Sequence, residues 1–306
     1  MLKFFQKPYR WALIYTIIMA ISITYVLLDT FVIPQAETRI DISSETEDTE
    51  NNDTESNDTS YAIITENSYE DENIQITIDT VREYDTNVYI ANIQVSDVSY
   101  LKTAFADNTY GRNIKETTSD IAEDNDAIFA INGDYYGFRN YGFVIRNGVL
   151  YRDTAGEAGS EDLVINSAGN MSIIDENETD IQTLVEDNAW QVLSFGPTLI
   201  NDGEITVTAS SEVSKSMNTN PRTAFGQVSA LHYIFIVSDG RTSESPGLSL
   251  LELAQIFYDN GCNVAYNLDG GGSSTMWFNG QVINNPTTNG DTISERSISD
   301  IVYIGY

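Results

Sequence analysis

The stretch NLDGGGSSTM, Asn267 to Met276, sets an aspartate, Asp269, ahead of Gly270, Gly271 and Gly272 and the hydroxyls of Ser273 and Ser274. A carboxylate there could attack an electrophilic carbon or activate water. The glycines would let a ligand come close to the backbone, and free amides with the two serines could hold an anion. A Walker loop is excluded, because no Gly-Lys pair is present. A dinucleotide fingerprint needs a helix opening at the glycines. SSTMWFNGQVI reads as a strand and hairpin instead. By spacing alone, a plain glycine turn is an equal alternative.

Three further stretches carry the same residue types. AINGDYYGFR places Asn132, Gly133 and Asp134 just past an apolar run, followed by aromatics and Arg139; NPRTAFG offers Arg222 and Thr223; SDGR offers Asp239 and Arg241. Each is weak alone, since NGD can be a turn and an arginine a surface charge. Together they set Asn, Asp and Arg at strand ends in a chain with 15 basic residues against 46 acidic ones. Histidine and cysteine occur once each, as His232 and Cys262. That excludes an internal disulfide, a thiolate zinc cluster and the Ser-His-Asp and Cys-His chemistries. His232, in LHYIFIV, reads as a strand-edge residue. Catalysis must then use carboxylates, hydroxyls, amides or arginines. The net charge of −31 argues against nucleic acid as a partner, because such binding needs cations to neutralise phosphates.

These residues need elements to hold them. Residues 1–10 carry Lys3, Lys7 and Arg10 and read as a cytoplasmic tail. The uncharged run from Trp11 to Leu28 has the length of a membrane span, so residues 11–33 are read as an uncleaved signal anchor with the remainder outside the cytoplasm. A cleaved signal peptide is the rival, disfavoured by a poor cleavage site. Residues 34–73, acidic and rich in Ser, Thr and Asn, read as a disordered tether lifting the next domain off the membrane. From Ile74 to Tyr306 the pattern is that of strands. Asn-Gly in FVIRNGVLYR and MWFNGQVI, and Asp-Gly in TLINDGEITV, predict hairpins. YIFIVSDGR, LSLLELAQIFYDNG and NVAYNLDG predict strand–helix–strand, with a capping box at Ser249 and Glu252 and a stop at Gly261. The two strands should be parallel with a right-handed crossover, which brings SDGR and LDGGGSS to one side of the sheet. The expected class is α+β: a mixed, largely antiparallel sheet with one strand–helix–strand unit.

Taken in order, AINGDYYG, NPRTAFG, SDGR with its capped helix, and NLDGGGSSTM resemble the phosphodiester glycosidase family over roughly Ile74 to Tyr306. ERSISDIVYIG resembles its closing strand, and Asp134 stands where the family often has a second glycine. The resemblance implies cleavage between a sugar's anomeric carbon and a phosphodiester oxygen. Phosphate leaves readily, so general-acid help matters less than in ordinary glycosidases. The resemblance implies Arg222 and Arg241 as phosphate ligands, with Arg296 a weaker candidate. Asp269 is the first choice for the carboxylate, followed by Asp134 and Asp239. Asn132 and Asn267 would orient sugar hydroxyls. Gly133, Thr223, Gly270, Gly271, Gly272, Ser273 and Ser274 complete the expected binding set. Clustered Asp and Asn would suit calcium or magnesium, but no EF-hand loop is present and no cofactor is expected to be required. The expected partners are a glycan or sugar phosphodiester and the membrane. Two rivals stand beside this one: a glycan-binding module stacking sugars on Tyr135, Tyr136 and Phe138, and a scaffold for polysaccharide export.

Overall fold

The computed structural model describes residues 7–40, 62–211 and 219–306. The helix Pro8–Phe31 starts with proline in its first turn, where the missing N–H has no partner to lose. Its 24 residues rise about 36 Å, enough for a ~30 Å hydrocarbon layer, and its apolar side chains face outward all round.

The segment after the helix is held by the folded domain. Gln35–Ala36 pairs antiparallel with Gly111–Arg112, and the Glu37 and Ile40 amides donate to the carbonyls of Tyr110 and Leu150. Glu37 also pairs with Arg112 at 3.1 Å. The described residues therefore differ from the expected tether at both ends. Residues 34–40 lie against the domain, and Ile63–Ile64 and Ser68–Glu70 extend the edge of its largest sheet. Strand structure thus begins before Ile74. Residues 41–61 of the expected tether lie outside the described residues.

Among the described residues, the domain contains a nine-stranded sheet and two five-stranded sheets, mostly antiparallel. The alternation in Ile74–Glu83 buries Ile74, Ile76 and Ile78 on one face. Each expected hairpin closes as sequence demanded. Asn147–Gly148, Asp202–Gly203 and Asn279–Gly280 all take positive φ at both positions, the geometry that matches strand twist. The main core packs Phe129, Phe225, Phe235 and Tyr266 between sheets; a second cluster lies under the helix Leu250–Asp259.

That helix opens on the expected capping box. The Ser249 amide donates to Glu252 Oε2 at 2.8 Å, and the Glu252 amide to Ser249 Oγ at 3.2 Å. The flanking strands, His232–Ser238 and Val264–Asn267, both pair antiparallel with Thr223–Ser229, which lies between them. They are therefore parallel to each other without touching, and both end on one side of the sheet. On the third sheet, Asp300–Ile304 lies between Phe129–Asn132 and Leu101–Phe105. The candidate residues gather where these strands end.

Candidate active site

The loop after Val264–Asn267 is fixed by its backbone. Leu268 donates to the Thr223 carbonyl at 2.8 Å, Gly271 to Pro221 at 2.8 Å, and Asp269 to Gly133 at 3.3 Å. Asn132, fully buried, ties three segments together. Its Nδ2 donates to the Asp269 carbonyl at 2.6 Å, and its Oδ1 accepts from Thr223 Oγ1 at 2.8 Å and the Thr275 amide at 3.2 Å. Asn132 and Thr223 thus hold the loop, and neither lines the cavity beside it.

The glycine run reflects crowding. A Cβ on Gly271, whose φ is +64°, would sit 2.7 Å from the guanidinium of Arg241; one on Gly272 would sit 2.5 Å from Thr288 Oγ1. Gly270 would meet the Pro221 carbonyl at 2.9 Å. Loop and neighbouring segments pack at backbone distance, which only glycine permits.

This loop forms one wall of a cavity of 790 Å³. Of the residues singled out in the sequence, Asp269, Asn267, Gly270, Gly271, Arg222, Arg241 and Arg296 line it, and Arg139 lines it as well. Asp269 Oδ2 accepts from Ser273 Oγ at 2.5 Å and from Arg296 at 3.2 Å, and Arg296 also donates to Ser273 Oγ. Burial raises the Asp269 pKa above the ordinary carboxylate value, while Ser273 and Arg296 pull it the other way. With its side chain 15% exposed, Asp269 is a mostly dry carboxylate still open to the cavity.

Arg139, Arg222 and Arg241 each donate to at least one main-chain carbonyl. Arg222, buried, donates through Nε to the Leu248 carbonyl at 2.8 Å. Arg241 donates to Asn220 Oδ1 at 3.2 Å and to the Thr288 carbonyl at 2.6 Å. Burial and the charge of Arg296 lower its pKa from an ordinary arginine value, and Asp269 opposes them. Arg139 donates to the carbonyls of Asp134 and Ser194 and lies over the rings of Tyr141 and Phe195. Buried Asn267 donates to the Gly196 carbonyl at 2.7 Å, leaving its Oδ1 without a protein partner. That oxygen could accept a sugar hydroxyl, since a buried acceptor is costly to leave unpaired. Four arginines facing Asp269 and Glu161 give a cationic cavity in an acidic protein.

Other sequence candidates sit elsewhere. Asp134 is fully buried and does not line the cavity. It pairs with Arg146 at 2.9 Å and accepts from the amides of Ser194 and Tyr136. Asp300 pairs with the same arginine at 3.0 Å. A Cβ on Gly133 would fall 2.2 Å from Asp300 Oδ1, so this glycine makes room for the buried acid–arginine–acid group. Asp239 accepts from the Asn285 amide at 2.7 Å and from the side chains of Asn285, Asn87 and Tyr89, fixing the loop beside Arg241. Ser273 and Ser274 are buried; Ser273 touches Asp269, whereas Ser274 does not line the cavity. Tyr136 belongs to a buried cluster with Tyr110 and Val144, so it cannot serve the exposed platform considered from sequence. Among the described residues no group of three His, Cys, Asp or Glu side chains converges as a metal site.

Sequence reasoning missed Glu161, Asn220, Tyr141 and Phe195 on the cavity wall. Glu161 begins a strand whose pairing sets it on the cavity wall, and no local motif marks it.

A family described as phosphodiester glycosidase matches residues 125–305. The SPβ prophage-derived uncharacterized protein YomE of Bacillus subtilis (strain 168) is 34% identical over 204 residues, which is 64% of this chain and 31% of YomE. This chain therefore spans about a third of that relative's length. Among solved structures, one similar fold is the catalytic domain of zebrafish N-acetylglucosamine-1-phosphodiester alpha-N-acetylglucosaminidase, auto-inhibited by its pro-peptide. Its TM-score is 0.61 at 22% identity, covering 76% of this chain and 83% of that one. A hypothetical protein from Synechocystis has a TM-score of 0.52 at 15% identity, covering 76% and 62%.

Proposed function

The chain belongs to the phosphodiester glycosidase family, and from that membership we propose that it is a membrane-anchored hydrolase acting outside the cytoplasm on sugar-1-phosphodiesters of envelope or exported glycans. The observation that carries this reading is the convergence of Arg139, Arg222, Arg241 and Arg296 with Asp269 on one cavity. A phosphodiester is anionic and planar forks of guanidinium match its oxygens. The apolar helix Pro8–Phe31, with basic residues before it, supports the anchor and its direction.

In this mechanism the sugar occupies the buried end of the cavity beside Asn267 and Asp269. Arginines hold the phosphate. Asp269 takes a proton from water as the water oxygen bonds to the anomeric carbon. The bond from that carbon to the phosphate oxygen breaks, and the electron pair leaves with the phosphate. The products are a free reducing sugar and a phosphomonoester. Charge building on the leaving oxygen is met by fixed guanidinium donors, which need no reorganisation. Arg296 and Ser273 orient Asp269 and oppose the effect of burial on its carboxyl group. N-acetylglucosamine α-1-phosphodiesters are the first substrates to offer, given the zebrafish protein with the same fold.

The test uses the full chain in detergent with a panel of sugar-1-phosphodiesters, reading released reducing sugar. Asp269→Asn keeps the shape and removes the proton acceptor, and turnover should fall about 10²–10⁴-fold. Turnover unchanged in this variant, or none by the wild type on any substrate, overturns the assignment.

A further inference from the structure

Three exposed aromatic rings lie in or next to the cavity wall. Tyr135, Phe138 and Tyr141 are 39%, 37% and 41% exposed, and Tyr135 and Tyr141 line the cavity itself. Tyr135 and Phe138 stack on each other with ring centres 4.5 Å apart. Tyr135 has φ +74°, a left-handed conformation costly for a bulky residue. Local strain is thus accepted at a turn that presents its apolar rings to the outside.

The same turn lies beside the end of the apolar helix. Asn113 donates through Nδ2 to the carbonyls of Thr30 and Ile33, each at 3.2 Å, and through its backbone amide to the Gly137 carbonyl at 3.1 Å. One residue therefore bridges the helix exit to the Tyr135–Phe138 turn. Phe31, Val32 and Ile33 are exposed on the helix side of this joint. Exposed apolar side chains thus lie on both sides of Asn113: Phe31, Val32 and Ile33 at the helix exit, and Tyr135 and Phe138 on the turn beside the cavity. Tyrosines at such a level are the residues that membrane interfaces favour.

Building on the hydrolase reading, we propose that Tyr135, Phe138 and Tyr141 seat the cavity mouth on the bilayer surface, and that the substrate is a sugar-1-phosphate esterified to a membrane-embedded lipid. The sugar would enter the buried end, the phosphate would lie among the arginines, and the lipid would pass the three rings into the membrane. Water adds to the anomeric carbon and its proton goes to Asp269. The carbon–oxygen bond breaks, leaving a lipid phosphomonoester in the bilayer and a sugar in water.

Docking and substrate class can be read separately in the full chain reconstituted in phosphatidylcholine vesicles. Cys262 is buried, so a thiol introduced by Phe138→Cys or Tyr141→Cys takes a fluorescent label selectively. Lipids with a nitroxide near the headgroup should quench both labels at least threefold more than a label at Tyr258→Cys, an exposed site on the helix Leu250–Asp259. Equal quenching at all three sites overturns the docking, whatever the activity. For substrate class, a polyprenyl-phosphate sugar in the vesicles is compared with the methyl phosphodiester of the same sugar in solution. Phe138→Ala, at a ring that does not line the cavity, should lower kcat/KM several-fold for the lipid-linked substrate and leave the methyl compound within twofold. Equal losses on both, or hydrolysis of the methyl compound alone by the wild type, overturn the lipid assignment while the hydrolase reading stands. Hydrolysis of neither sinks the lipid assignment with the hydrolase reading, and quenching still decides the docking.

Discussion

Arg146→Met tests how the buried group behind the cavity is held. Arg146 pairs with Asp134 at 2.9 Å and Asp300 at 3.0 Å, all three nearly or fully buried, and also donates to the carbonyls of Ile145 and Val192. Methionine fills much of the volume but leaves two carboxylates without a cation. Removing one partner of such a group costs about 3–5 kcal/mol. At about 2–4 °C per kcal/mol for a domain of this size, the melting temperature should fall by roughly 6–20 °C. The deficit should depend on pH. Burial and the charge of Asp134 raise the Asp300 pKa to about 7 in the folded protein, against about 3.9 in an unfolded chain. Folding therefore favours the protonated form, and the stability Asp300 contributes is fully present below about pH 4 and lost as pH rises through 7. Without Arg146 the carboxyl takes its proton still more readily. The variant's deficit should be large at pH 8 and smaller at pH 5, and Asp300→Asn should flatten the wild-type slope between them. The assay is thermal unfolding of the full chain followed by circular dichroism. A deficit under about 3 °C at pH 8, or one identical at both pH values, refutes the reasoning.

Three further outcomes follow from distances already given. Because burial raises the Asp269 pKa, the acid limb of the kcat/KM profile should lie above the ordinary carboxylate range; activity undiminished down to pH 4 would contradict this. Gly271→Ala adds a Cβ 2.7 Å from the Arg241 guanidinium at a φ of +64°, so KM for a phosphodiester should rise several-fold, and an unchanged KM would remove Arg241 from the binding set. Ser249→Ala removes the capping hydroxyl of the helix Leu250–Asp259 and should cost about 1 kcal/mol in urea unfolding without altering KM.

Local chemistry made part of this architecture legible. Asn-Gly and Asp-Gly pairs marked three hairpins because those turns require positive φ at both central positions. The turn at Tyr84–Asp85 does the same with φ of 47° and 58° but carries no glycine, so no local motif marks it. Ile63–Glu70 carries no strand signal in sequence because its edge segments are only two and three residues long and Tyr69 alone is buried there. In the site, Asp269, Arg222 and Arg241 were legible as polar residues at strand ends. Asp134 and Asp269 look alike in sequence, each an acid beside glycine just past a strand. Pairing partners separate them, since Arg146 claims Asp134 while Asp269 faces the cavity. Arg146, last in its strand before Asn147–Gly148, reads as a surface hairpin residue, and only the third dimension shows it buried.

The contrast between an acidic protein and a cavity lined by arginines has a kinetic consequence. At a distance an anionic substrate meets the field of −31 charges and is repelled; within the cavity it meets guanidinium groups. Salt screens the first effect more than the second, with a Debye length falling from about 30 Å at 0.01 M to about 8 Å at 0.15 M. Association should accordingly quicken as ionic strength rises through this range, the reverse of ordinary electrostatic steering. Calcium would give the same acceleration by screening alone, so its effect on turnover has meaning only against sodium at matched ionic strength.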